Sequence, residues 1–196
     1  MNPRIKEIVT QIEALEKRLR EELEKEDTKI DYRIERGKIW FDPQVLARQK
    51  EALIDIFTYI RKAPLSYILS APVIYAMIIP ALLMDLFVTL YHHINFRVYG
   101  IPRVRRSDYI VFDRHYLGYL NIIEKLNCLY CSYFNGLIAY VGEIAARTEQ
   151  FWCPIKHARK IAYRHSRYEY FLPYGDADSY RKRLEEIRNM VKEEKE

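Results

Sequence analysis

The spacing of apolar positions changes several times along the chain, and each change marks an element. From the N-terminus, Ile5, Ile8, Ile12, Leu15 and Leu19 alternate steps of three and four, Leu23 continues the face, and charged residues fill the remainder. This predicts an amphipathic helix with the narrow stripe of a helix-pairing surface. Because the stripe covers fewer than four heptads, docking on the chain's own body is the first expectation and an oligomerisation zipper the second. From Lys29 the period shortens to two: Ile30, Tyr32 and Ile34 alternate with charged residues, and Lys38-Ile39-Trp40-Phe41 resumes after Gly37. That is the pattern of a short β-hairpin. Asp42-Pro43 is a helix start, with a capping carboxylate and a proline at the first helical position. The helix is expected to reach about Lys62, with Val45, Leu46, Leu53, Ile56, Phe57 and Ile60 on its apolar side, before Ala63-Pro64 ends it.

Residues 65–91 are then almost wholly apolar, with Asp85 as the single formal charge. At the helical rise this run exceeds the roughly 20 residues that cross a hydrocarbon core. It predicts a membrane helix, kinked by Pro72 and Pro80. Arg61 and Lys62 precede it and Arg97, Arg103, Arg105 and Arg106 follow. Basic residues at both ends suit a re-entrant path, in which both flanks stay on one side, as well as a simple crossing. Asp85 and the His92-His93 pair are placed at the solvated end of this helix.

Beyond it, residues 95–106 form a basic connector suited to phosphate headgroups. Residues 109–112 read as a short β-type run, residues 115–135 as a helix ending at Gly136, and residues 137–148 as a second helix. A basic and aromatic stretch follows, including Lys156, Arg159, Lys160, Arg164 and Arg167, again suited to headgroups or an acidic partner, or to plain solvation. A last amphipathic helix begins at 176–179, with Tyr180, Leu184, Ile187, Met190 and Val191 inward.

All three cysteines fall in one stretch, as Cys128-x2-Cys131 and Cys153, with His157 four residues further on. Two close pairs converging on a tetrahedron are how structural zinc is held, and a Cys3His set of Cys128, Cys131, Cys153 and His157 is the candidate metal site, for zinc or alternatively iron. Two other readings stand beside it. The cysteines serve equally well as small core hydrophobes, or Cys128 and Cys131 as a redox dithiol with Cys153 resolving. Glu124, Glu149 or His115 would complete an open, catalytic metal site. If Pro154 opens a further helix, Cys153 becomes its cap, where the dipole favours thiolate.

The segments NCLYCSYFNG and EQFWCPIKH resemble a pattern found in small bacterial membrane-associated proteins, over about residues 109–157. The resemblance implies a bacterial, membrane-linked protein and brings no activity and no catalytic residue.

Composition adds bounds. The chain has 196 residues and a net charge of +5, a bias that suits an anionic membrane surface and is too small to argue for nucleic acid. Seventeen tyrosines favour interfaces with one wet and one apolar side. An odd number of cysteines does not suit a disulfide framework. The charged first 29 residues have no apolar signal core, so the N-terminal region is expected in the cytoplasm. No phosphate-binding glycine loop, nucleophile elbow or zincin motif is present.

The fold class is therefore mainly α: amphipathic helices with a short hairpin over 1–62, a kinked or re-entrant membrane helix over 63–96, a Cys/His-bearing helical domain over 97–175 and an amphipathic helix over 176–196. The functional expectation is a metal-binding accessory or structural subunit of a membrane complex, whose partners are the lipid bilayer and other membrane-protein subunits. A membrane thiol oxidoreductase and a catalytic metalloprotein are the alternatives.

Overall fold

The structure, a computed structural model, describes residues 3–27 and 32–194. It is mainly helical, with one two-stranded hairpin and one long apolar helical run. Helix α1 (Pro3–Asp27) comes first. Strands β1 (Tyr32–Glu35) and β2 (Lys38–Phe41) pair antiparallel with Tyr32 opposite Phe41. The turn lies at Arg36-Gly37, both at positive φ, as a tight hairpin turn requires. Lys29 and Ile30, which the alternating pattern includes, lie outside the described residues, as does the side chain of Ile5.

Helix α2 (Pro43–Glu51) starts where the sequence places it, with the Asp42 carboxylate accepting from Gln44 N. It stops eleven residues short of the expected end. A second cap intervenes: Asp55 accepts from Thr58 N and opens the separate helix α3 (Ile56–Lys62). The apolar run then forms α4 (Leu65–Ala76) and α5 (Ile78–Tyr99), which meet at Met77. Pro80 accounts for the break, since it has no N–H for the Ala76 carbonyl and its ring crowds that turn. Tyr130 pins the junction by donating to the Ile74 carbonyl at 2.8 Å.

One helix, α6 (Ile122–Trp152), replaces the two expected around Gly136. Its start is fixed by a capping box: the Asn121 side chain accepts from Ile123 N and Glu124 N, and Glu124 Oε2 accepts from Asn121 N. Gly136 lets the connector approach the helix rather than ending it. A Cβ there would stand 2.5 Å from the Tyr109 carbonyl and 2.9 Å from Ile110 Cα. Residues 109–112, expected as a strand, have no strand to pair with and instead pass over this glycine, with Ile110 buried.

Contacts between α5 and α6 rise together in sequence. Tyr133 bonds Asp85, Tyr140 bonds His92, and Tyr99 stacks on Phe151. The two helices are therefore parallel, and the connector between them must run back along their length. Gly100 makes the reversal, in the left-handed conformation at φ 69°. On the return path Val104 N donates to His92 Nε2 and Arg106 pairs with Asp85, and at the far end Asn121 Nδ2 reaches the Ile54 carbonyl.

Helix α7 (Ala177–Lys192) closes the fold, capped by Asp176 and seated on α6 through buried Ile187 and Val191. Arg188 donates to the Phe151 carbonyl at 2.8 Å and lies over the Phe151 ring. One core joins Ala81 and Phe96 of α5, Ile101, Val104 and Ile110 of the connector, Leu137, Tyr140 and Ile144 of α6, and Val191 of α7.

Candidate membrane-docking surface

The face of α5 that packs on α6 and the connector holds Ala81, Asp85, His92 and Phe96. At 100° per residue, Ile79, Leu83, Leu86, Phe87, Leu90 and Ile94 lie on the opposite side. All six are exposed. Only 6% of the most apolar 18-residue window of residues 65–99 is buried. A soluble protein uses such a helix as its core, whereas here the apolar side is turned outward. Helix α4 continues the surface with exposed Leu65, Leu69, Val73 and Ile74, and Phe57 of α3, at 86% exposure, extends it further. Exposed basic residues stand at both ends, Arg61 and Lys62 before it and Arg97 within its last turn.

Asp85 lies in the middle of α5, not at its solvated end. Arg106 grips it with both guanidinium nitrogens, Nη2 at 2.6 Å from Oδ2, while Tyr133 OH at 2.8 Å and Thr89 Oγ1 at 3.1 Å also donate to it. So Arg106, expected to face headgroups, is paired with Asp85 while its own side chain stays partly exposed. His92 is buried: Nε2 accepts from Val104 N, so Nδ1 carries the proton and donates to the Tyr140 hydroxyl at 3.1 Å. It is a neutral structural histidine rather than an interfacial one. His93 is exposed and its Nδ1 bonds the Thr89 carbonyl.

The expected Cys3His set does not assemble. Cys128 and Cys131 sit near the start of α6 and Cys153 caps its end. With no break at Gly136, the 22 residues from Cys131 to Cys153 span about 33 Å of helix, far beyond the reach of one ion. Cys153 lies at a helix C-terminus, where the dipole disfavours thiolate, and burial followed by the Glu149 charge pushes its thiol pKa up. His157 is exposed, its ring stacked on Tyr168. The acidic candidates are engaged elsewhere, Glu124 in the α6 cap and Glu149 with His165 Nε2 at 3.1 Å. His115 packs on Tyr116. No three His, Cys, Asp or Glu side chains among the described residues are placed to hold a metal ion. The residues present do not fit zinc or iron, and the 33 Å separation equally keeps Cys153 from resolving a Cys128–Cys131 disulfide.

A second polar cluster, with no signal in the sequence, surrounds Arg167. Arg167 is nearly enclosed: Nη2 donates to Glu143 at 2.7 Å and to Glu194 at 2.7 Å, and Nη1 to Gln150 at 3.0 Å. Arg147 adds a bond to Glu143 at 2.7 Å and another to the Pro102 carbonyl at 2.9 Å. This network ties α6 to the connector, the 166–170 turn and the C-terminal end of the chain. Burial pushes the Glu143 pKa up, but the bonds from Arg147 and Arg167 outweigh it and the carboxyl is held below its ordinary value. A lowered folded pKa contributes stability above the unfolded value and loses it as pH falls through the folded one. Thermal midpoints should therefore fall on acidification below about pH 4.3, and Glu143→Gln should flatten that limb. An unchanged limb in the variant would remove Glu143 from the account.

Compared with protein-family models, curated proteins and solved structures, the chain matches none.

Proposed function

We propose that this protein is a membrane-surface scaffold that lies along one leaflet, with the outward face of α3, α4 and α5 in the acyl region and its α1 arm held in water for partners. One observation carries the reading. The connector runs back beside α5 from Gly100 at least as far as Asp85 and then on along α6, and Arg103, Arg105, Ser107, Asp108 and Arg114 along it are exposed. Were α5 to cross the bilayer, this irregular, charged segment would cross with it, against the cost of unsatisfied backbone and charge in hydrocarbon. Laid flat, the molecule keeps the connector in water while the opposite face of α5 enters lipid, as in-plane helices do. Basic Arg61, Lys62 and Arg97 at the ends of the apolar face suit anionic headgroups, each worth about 1 kcal/mol near such a surface. The same logic favours the re-entrant side of the sequence reading over simple crossing.

Membrane fractionation tests it. The protein should stay with the membrane pellet through high salt and alkaline carbonate, because the apolar face, not charge, dominates the anchoring. Full recovery in the supernatant after carbonate would refute insertion.

A further inference from the structure

Among the described residues, the apolar stripe of helix α1 is left uncovered by the rest of the molecule. Ile8, Ile12, Leu15, Leu19 and Leu23 are all exposed, so the expected docking onto the chain's own body does not occur. We infer that α1 pairs with α1 of a second copy, as a parallel two-stranded coiled coil standing off the membrane surface. The inference rests on the leaflet-anchored reading, which gives all copies one orientation and concentrates them.

Charge selects the occupant and its direction. The helix has eight acidic against six basic residues, so an anionic leaflet would repel it. With Ile12 and Leu19 at heptad position a and Ile8 and Leu15 at d, one flank of the seam is Arg4, Gln11, Arg18 and Lys25, and the other is Val9, Glu16 and Leu23. In an antiparallel pair the first flank faces itself, which sets Arg4 opposite Lys25. In a parallel pair it faces the other flank, and Gln11 meets Glu16 of the second copy. The seam is short, since Glu22 falls at the d position after Leu19 and ends the apolar stripe. On its own so short a seam is marginal, and confinement to a surface raises the effective concentration that it needs.

The test uses the full chain with its three cysteines replaced by serine, reconstituted in vesicles containing anionic lipid, and carrying one cysteine at a time. Under mild oxidation, Ile8→Cys alone and Leu19→Cys alone should each form covalent dimers at least about fivefold more than Lys17→Cys, which lies across the helix from the seam. Dimers only on mixing the Ile8→Cys and Leu19→Cys proteins would mean an antiparallel pair and overturn the proposal. So would monomers throughout, or equal linkage at Lys17→Cys. Flotation of the same samples separates the two readings: linkage without flotation leaves the coiled coil standing and removes the membrane anchor, whereas flotation without linkage removes the coiled coil.

Discussion

Leu83→Glu combined with Phe87→Glu should release the protein from vesicles while leaving it folded. Both side chains are exposed and face away from the α6 contact, so neither change opens a cavity. Each removes about 1.5–3 kcal/mol of apolar transfer and adds the cost of a carboxylate at acyl depth. Two such changes should lower the partition coefficient by at least about a thousandfold, since each 1.4 kcal/mol is a factor of ten. Vesicle flotation reads the loss, and circular dichroism with thermal melting checks that the helices persist. A double variant that floats like the wild type would place the membrane contact elsewhere.

The largest effect on folding is expected from Gly136→Ala. The new Cβ would meet the Tyr109 carbonyl at 2.5 Å and Ile110 Cα at 2.9 Å, and both are backbone atoms that no rotamer change can move. The connector must lift from α6, which disturbs buried Ile110 and draws on Val104 and Arg106, whose bonds hold it to α5. Overpacking of this kind costs about 1–3 kcal/mol, and more where backbone must shift. Helix propensity alone argues the other way, since alanine is favoured over glycine by about 1 kcal/mol inside a helix. A lower midpoint in detergent denaturation is the expected result, and a raised one would mean that the connector yields freely. By contrast, Gly142→Ala on the same helix meets nothing within 4 Å and should be neutral or stabilising.

This pair of glycines shows where the sequence was legible and where it was not. Local rules were readable: the turn at Gly37, the Asp42-Pro43 start, the apolar run with its break before Pro80 and the last helix at Asp176 depend on neighbours in sequence, although α4 continues through Pro72, where a kink is also expected. Glycine weakens helices, so Gly136 reads locally as a helix end, yet its cause is a backbone 26 residues away that must come close. Once α6 is continuous, the metal set dissolves, since its four members were plausible only as two facing pairs. The Asn121-x2-Glu124 capping box was available in the sequence and would have placed the start of α6 and given Glu124 a role apart from ligation. The Arg106–Asp85 and Arg167–Glu143–Glu194 pairings had no sequence signal, because charge patterns along a chain do not say which partners a parallel crossover brings together.

Depth in the bilayer tests the central claim most directly. Spin labels introduced at Ile79, Leu86 and Ile94, one at a time, cover about 22 Å of α5 at the helical rise. Relative accessibility to oxygen and to a water-soluble nickel complex gives the depth of each. For a helix lying in one leaflet all three sit at one shallow depth, with labels at Arg105 and Arg114 in water. A crossing helix would instead give depths that differ by up to about half of that length, with a maximum between the ends and the connector labels shielded from water, and that result would contradict the account.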